Sequence, residues 1–128
     1  MNRVAVRRSR LYWISLAVMG VFYIAAGLNH LVTPQFYLAV MPPYIPWPDA
    51  VILWSGIAEL LGGIGVLVPL TRPMAAWGIV LMLACFLPVH VNMCLHPEAF
   101  AHIPLWAIWV RLPLQIPLML WAWLYTRT

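Results

Sequence analysis

Four long apolar runs, separated by polar or proline-containing connectors, dominate the pattern of hydrophobic and polar positions along the chain. An α-helix rises 1.5 Å per residue, so about 20 apolar residues are enough to cross the hydrocarbon core of a bilayer. The pattern therefore predicts an all-α fold, an antiparallel four-transmembrane-helix bundle. The predicted helices cover residues 11–32, 50–69, 74–95 and 104–125.

Composition supports an integral membrane protein. Of 128 residues, 65% are hydrophobic and only 8% are charged, which lies far from the average for soluble domains. We predict one membrane domain over residues 11–128, preceded by a basic tail at residues 1–10. All seven basic residues are Arg, and four of them precede the first apolar run, so they indicate topology. The expected partner is the lipid bilayer and not nucleic acid.

The distribution of Arg predicts the orientation. The amino-terminal tail, the turn containing Arg72 and the carboxy-terminal Arg127 are basic, whereas the other two connectors have no Lys or Arg. By the positive-inside rule, both termini are cytoplasmic in a multi-pass protein of the cell membrane, with a bacterial inner membrane as the expected location. The first run is longer than the apolar region of a signal peptide, so we expect it to be retained.

The connector at residues 33–49 contains five prolines and several aromatic residues. Proline removes an amide donor and disfavours helix in the residue before it, so we expect a short helical turn near residues 35–40 and then an extended extracytoplasmic loop. Two interpretations remain: a connector at the membrane interface, or a lid over a cavity between the helices.

Glu59 stands near the middle of the second predicted helix, on a stripe of small residues with Ser55 and Gly63. An ionisable residue inside a membrane is costly and normally faces a partner in the bundle interior. Small residues occur where membrane helices approach closely. Glu59 is therefore either a functional carboxylate or one that only fixes helix packing.

Depth along each helix predicts a partner for this carboxylate. Glu59 lies about 13 Å and Arg111 about 10 Å from the outer helix ends, so we expect a salt bridge or a shared hydrogen-bonded network between them in the outer half of the bilayer. Other intramembrane polar residues complete a candidate polar pocket, to which no catalytic role is assigned. The candidates are Asn29, His30, Ser55, Glu59, His90, Asn92, Arg111 and Gln115.

Metal and disulfide chemistry receive little support. His30, His90 and Glu59 are metal-ligand types, but no metal-binding spacing joins them, so we predict no metal site. Cys85 and Cys94 lie nine residues apart in one helix and thus on opposite faces, which excludes a disulfide between them.

Several short motifs, spread over residues 22–124, make the chain similar to the DoxX-like family of small four-helix membrane proteins. They are G-x-x-H-x-x-x-P from Gly27, P-P-x-x-P from Pro42, S-G-x-x-E-x-x-G-G from Ser55, P-x-x-x-N-M from Pro88 and R-x-P-x-Q from Arg111. After Pro88 this chain has Val-His, where many members have Ala-Asn. The resemblance implies a four-helix bundle and, loosely, a role beside redox complexes, in quinone reduction linked to sulfur-compound oxidation, or in assembly.

Three functions are compatible with these observations. The first is an accessory or ligand-binding component of a membrane complex, with a partner membrane or redox protein or a small hydrophobic ligand. The second is a quinone-linked oxidoreductase subunit, in which Glu59, Arg111 and His30 bind the quinone head group. The third is a transporter or channel. No cofactor motif is evident, quinone is the cofactor compatible with the second function, and whether the protein is an enzyme stays open.

Overall fold

A computed structural model describes residues 8–127 as a bundle of four long helices with no β-strand. A short helix, α2, follows the first long helix, and 3₁₀ turns occupy Pro97–Phe100 and Tyr125–Arg127. The helices are α1 (Arg10–Val32), α2 (Pro34–Leu38), α3 (Pro48–Leu67), α4 (Arg72–Leu95) and α5 (Leu105–Leu124). The predicted all-α four-helix architecture is confirmed. Most of the predicted basic tail, residues 1–7, lies outside the described residues.

The four long helices are long and apolar enough to cross a membrane, so the chain is a small multi-pass membrane protein in contact with lipid. Local chemistry sets their ends. The hydroxyl of Ser9 caps α1 by accepting from the amide of Tyr12 at 3.2 Å. Pro48 stands at the start of α3, where a missing amide proton costs nothing. The turn at residues 68–71 is short enough to make α3 and α4 antiparallel.

The bundle has two distinct ends. The connector end contains residues 33–47 and 96–104, which join α1 to α3 and α4 to α5. The terminal end contains both described chain ends and the turn between α3 and α4. The helical turn expected near residues 35–40 is present as α2, and the rest of the connector is irregular up to Pro48.

The stripe of small residues in α3 packs against a matching stripe in α1. A Cβ atom on Gly27 would lie 2.7 Å from the carbonyl oxygen of Gly56, and one on Gly63 would lie 2.7 Å from the amide nitrogen of Ile24. Backbones this close leave no room for a side chain. The interior position predicted for Ser55, Glu59 and Gly63 is therefore explained by contact with α1.

Beyond this pair, α3 also packs on α4, and α4 packs on α5. One apolar core lies toward the terminal end around Tyr23, Val66 and Ile79, and a smaller one lies at the connector end around Met93, Phe100 and Ile108.

Polar side chains close the terminal end. Ser15 of α1 accepts hydrogen bonds from Trp121 Nε1 at 2.9 Å and from the Tyr125 hydroxyl at 2.5 Å. Arg72 is buried, and its Nε donates to the carbonyl oxygen of Val66 at 2.7 Å. Arg72 thus fixes the turn between α3 and α4 in addition to carrying charge.

Candidate functional site

The carboxylate of Glu59 on α3 faces the imidazole of His30 on α1. His30 Nε2 lies 3.1 Å from Glu59 Oε2, and the two residues are only 7% and 5% exposed. The contact has the distance of an ion pair, but its direction does not satisfy hydrogen-bond geometry, so Oε2 is left without a hydrogen bond among the described residues. A buried acid and base this close lower the free-energy cost of placing each other inside the membrane.

Ser55 fixes the other nitrogen of the imidazole. Its hydroxyl lies 2.9 Å from the carbonyl oxygen of Ile52 and 3.2 Å from His30 Nδ1. A hydroxyl has one proton to donate, and the shorter contact assigns it to Ile52, so Ser55 accepts from Nδ1–H. The other ring nitrogen, Nε2, is then the one that faces the carboxyl group of Glu59.

Tyr37 of α2 covers the imidazole from the connector side. Its ring stacks on His30 with centroids 3.7 Å apart. Asn29 donates from Nδ2 to the Tyr37 hydroxyl at 2.6 Å and accepts at Oδ1 from Thr33 at 2.9 Å. Asn29 was a predicted pocket residue, and the structure places it as an exposed support for Tyr37 without direct contact to Glu59.

Glycine makes the approach of the two helices at this site possible. A Cβ atom on Gly56 would lie 2.6 Å from the Cβ of His30. The spacings Gly27-x-x-His30 and Gly56-x-x-Glu59 are the same, so each polar residue lies one turn from the close contact. This shared spacing is the sequence signal that could have identified His30 as the partner of Glu59.

Tyr23 belongs to the same buried face but was not among the sequence candidates. It is 1% exposed, its hydroxyl has no hydrogen bond among the described residues, and it lies within electrostatic reach of Glu59. Tyr23 precedes His30 by seven residues, which puts both on one side of α1. We define Tyr23, His30, Ser55 and Glu59 as the polar network.

The predicted salt bridge between Glu59 and Arg111 is wrong. Among residues 8–127 the only cationic side chain within ion-pair distance of Glu59 is His30, whereas Arg111 Nη1 lies 3.8 Å from Met93 Sδ. Equal depth in the membrane does not give a residue's direction around its helix. The main packing partner of α5, which carries Arg111, is α4, whereas α3 packs on α1 and α4.

Arg111 forms a second polar cluster between α4 and α5. It lies within electrostatic reach of His90, whose Nδ1 is buried without a hydrogen bond in the described chain. Gln115, one turn from Arg111, is 5% exposed, and its Oε1 likewise has no described hydrogen bond. The predicted single pocket is therefore divided between two helix pairs. No group of three metal-ligand side chains that could hold a metal occurs in the described part of the chain.

A groove with a volume of about 550 Å³ opens at the connector end. Residues of the 39–44 stretch, the last turns of α4 and the following 3₁₀ turn line it. Asn92 lies at this groove and is 8% exposed, whereas His90 on the same helix is half-buried beside α5. Residues two positions apart lie about 200° apart around an α-helix, so these two side chains have different surroundings.

Comparison with known families adds one match, which extends over most of the chain. Residues 19–126 match a family model described as a domain of unknown function (DUF8561). The chain belongs to this family. No curated protein and no solved structure matches it.

The DUF8561 domain contains the whole of the candidate site. Its match begins within α1 before Tyr23 and ends after α5, so it includes the polar network, the Arg111 cluster and the groove. The family assignment therefore applies to the four-helix unit as a whole, and the site's chemistry has to be argued from its own geometry.

Proposed function

We propose that the protein is an accessory component of a membrane complex, in which the polar network binds a ligand or a polar group of a partner. One observation carries this proposal. The His30–Glu59 pair is buried between two membrane helices, beside a Tyr23 hydroxyl and a carboxylate oxygen that have no hydrogen bond among the described residues. Unpaired polar groups inside a membrane bundle are costly, and such residues commonly mark functional sites.

The arrangement suits the transfer of one proton to a third group, or one hydrogen bond with it. The imidazole is held by Ser55 at Nδ1 and stacked by Tyr37, so its Nε2 stays directed at Glu59. A proton shared between an imidazole and a carboxyl group can be passed to a third group that approaches either of them. The Tyr23 hydroxyl lies within electrostatic reach of Glu59 and has no hydrogen bond to a described residue.

The positive-inside rule supports the proposed orientation. Arg72 and Arg127 both lie at the terminal end, as does the tail with Arg8 and Arg10, whereas the connector end has no Lys or Arg between residues 33 and 49 or 96 and 104. We infer that both termini are cytoplasmic and that the protein lies in the cell membrane. The polar network then lies in the outer half of the bilayer.

A quinone-linked oxidoreductase subunit is the second candidate, and the close approach of a buried imidazole and a buried carboxyl group, His30 and Glu59, favours it. Bound quinone would supply electron-accepting chemistry, and electrons would come from another subunit. This chain would contribute the Tyr23 hydroxyl and the His30–Glu59 proton as hydrogen-bond donors. Arg111 lies outside this group. The resemblance to DoxX-like proteins supports both candidates.

A binding experiment on the full-length protein in nanodiscs tests the proposal. The unfolding temperature is measured with and without soluble ubiquinone and menaquinone analogues, and wild type is also affinity-purified from its native membranes. Glu59→Gln removes the titratable carboxyl group, and Asp49→Asn on the exposed first turn of α3 serves as the matched control.

The outcomes separate the two candidates. Stabilisation by quinones that is lost in Glu59→Gln and kept in Asp49→Asn supports the oxidoreductase subunit. No response to quinone, together with a membrane partner that accompanies wild type and Asp49→Asn but not Glu59→Gln, supports the accessory role. If Glu59→Gln changes neither ligand response nor partner, the proposal is wrong.

A further inference from the structure

The groove at the connector end contains a polar side chain that the protein itself does not satisfy. Asn92 is 8% exposed and lines the groove, and its side-chain amide makes no hydrogen bond to any described residue. The amide reaches the open space of the groove, where it offers two donors and two acceptor positions that no described residue uses. A molecule in the groove can supply the missing partner.

The walls of the groove are mainly apolar and carry no fixed charge. Met41, Leu95 and Phe100 are among the lining residues, and no Arg, Lys, Asp or Glu lines the groove. His96 stands in the lining with a side chain that is 60% exposed, and its Nδ1 lies 3.7 Å from the exposed carboxylate of Glu98. The one imidazole of the lining is already at ion-pair distance from Glu98, so the lining favours an uncharged ligand.

We propose that this groove binds one amphiphile with a single hydrocarbon chain and an uncharged hydroxyl or ester head group, which hydrogen-bonds to Asn92. The volume of about 550 Å³ lies within the range of small-molecule sites. The groove lies at the connector end of the helices, beside the last turns of α4. None of the four polar-network residues lines it, so this binding site goes beyond the function proposed above.

Photolabelling of the full-length protein in phosphatidylcholine nanodiscs tests the inference. The probe is a monoacylglycerol with a diazirine in its acyl chain, and the adducts are mapped by mass spectrometry. We expect adducts on groove residues, and we expect unlabelled monoolein to compete for them. Oleate, which has the same chain and a charged head, should compete at least about threefold less well, since it has no counter-charge in the groove.

Two variants test the two parts of the site, the Asn92 amide and the volume of the groove, and a third variant is the control. Asn92→Leu removes the amide and keeps the volume, so the apparent affinity should fall about three- to tenfold, the loss expected for one hydrogen bond. Ala39→Trp fills the groove and should abolish the adducts. Gln35→Leu removes an exposed amide from α2 outside the groove and should leave labelling unchanged. Unfolding temperatures confirm that each variant is folded.

Several results would overturn the inference. Adducts of equal strength in wild type, Asn92→Leu and Ala39→Trp would place the probe elsewhere. Competition by oleate equal to that by monoolein would contradict the uncharged ligand. Groove residues that are labelled in purified protein but shielded in native membranes by a bound protein would assign the groove to that partner. Labelling should also persist in Glu59→Gln, which separates this site from the polar network.

Discussion

His30 on α1 and Glu59 on α3 approach to 3.1 Å in the interior of the bundle, with Ser55 on one side of the imidazole and Tyr37 stacked on its face. The pair joins the two helices that pack through glycine. The pair therefore has a structural role. It is also the only close acid–base contact that the structure describes inside the spans.

The first prediction concerns the energy of this pair. Removing one partner leaves the other buried alone, so Glu59→Ala should lower the free energy of unfolding by about 3 kcal/mol. In a double-mutant cycle with His30→Ala, the coupling energy should be about 1–2 kcal/mol. Reversible unfolding in detergent micelles, followed by circular dichroism, measures both quantities.

A second cycle provides the control for the first. Arg111 lies beside Met93 and His90 and not beside Glu59, so Glu59→Ala and Arg111→Met should be additive within about 0.5 kcal/mol. Strong coupling in this cycle, with none between His30 and Glu59, would restore the pairing expected from depth and contradict the observed one.

The glycine contact yields a prediction about backbone packing. A methyl group on Gly56 would lie 2.6 Å from the Cβ of His30, so Gly56→Ala must push α1 and α3 apart and should destabilise the protein by about 1–3 kcal/mol. Gly78 on α4 has no atom within 4 Å of the same position. Gly78→Ala should therefore be neutral or stabilise by up to about 1 kcal/mol through helix propensity. Equal destabilisation by both substitutions would show that the α1–α3 contact is looser than described.

Tyr37 should protect His30 from reagents at the connector end. The centroid of its ring lies 3.7 Å from that of the imidazole, so the ring blocks access of the reagent to His30. Tyr37→Ala should therefore increase the rate at which diethylpyrocarbonate modifies His30 by about tenfold. Tyr37→Phe keeps the stacked ring and loses only the bond from Asn29, so it should behave nearly as wild type. Mass spectrometry of peptides containing His30 measures the rate.

A substitution of Tyr44, which is 64% exposed on the same connector, is the matched control for the loss of an aromatic ring. Tyr44→Ala should leave the modification rate of His30 unchanged. An equal increase in both alanine variants would mean that the whole connector has loosened, and that Tyr37 has no specific covering role.

The orientation can be tested with single cysteines. Cys85 and Cys94 are free, so both are first replaced by Ala. Tyr44→Cys at the connector end should then react with a membrane-impermeant maleimide added outside spheroplasts, whereas Leu70→Cys in the opposite turn should react only after lysis. The reverse labelling pattern would place both termini outside and contradict the positive-inside assignment.

Much of the fold follows directly from the order of residues. Apolar runs of spanning length predicted four helices to within two residues of their observed ends, because lipid requires every backbone polar group to bond within its own segment. The prolines predicted the position of the irregular connector, and the small residues around Glu59 indicated a close helix contact. Even α2 was expected near its observed position.

The partner of Glu59 was not determined by these local patterns. Sequence gives the depth of a residue along its helix, but the direction it faces depends on which helices are neighbours and how each is rotated. Arg111 has the appropriate depth and charge, yet α5 packs mainly on α4, and the glycine faces bring α1 to α3 instead. The sequence by itself determined the spans, the buried acid and the irregular connector. Only the tertiary structure decided that His30 meets Glu59 and that Asn92 lines a separate groove, because pairing between helices depends on packing across the bundle.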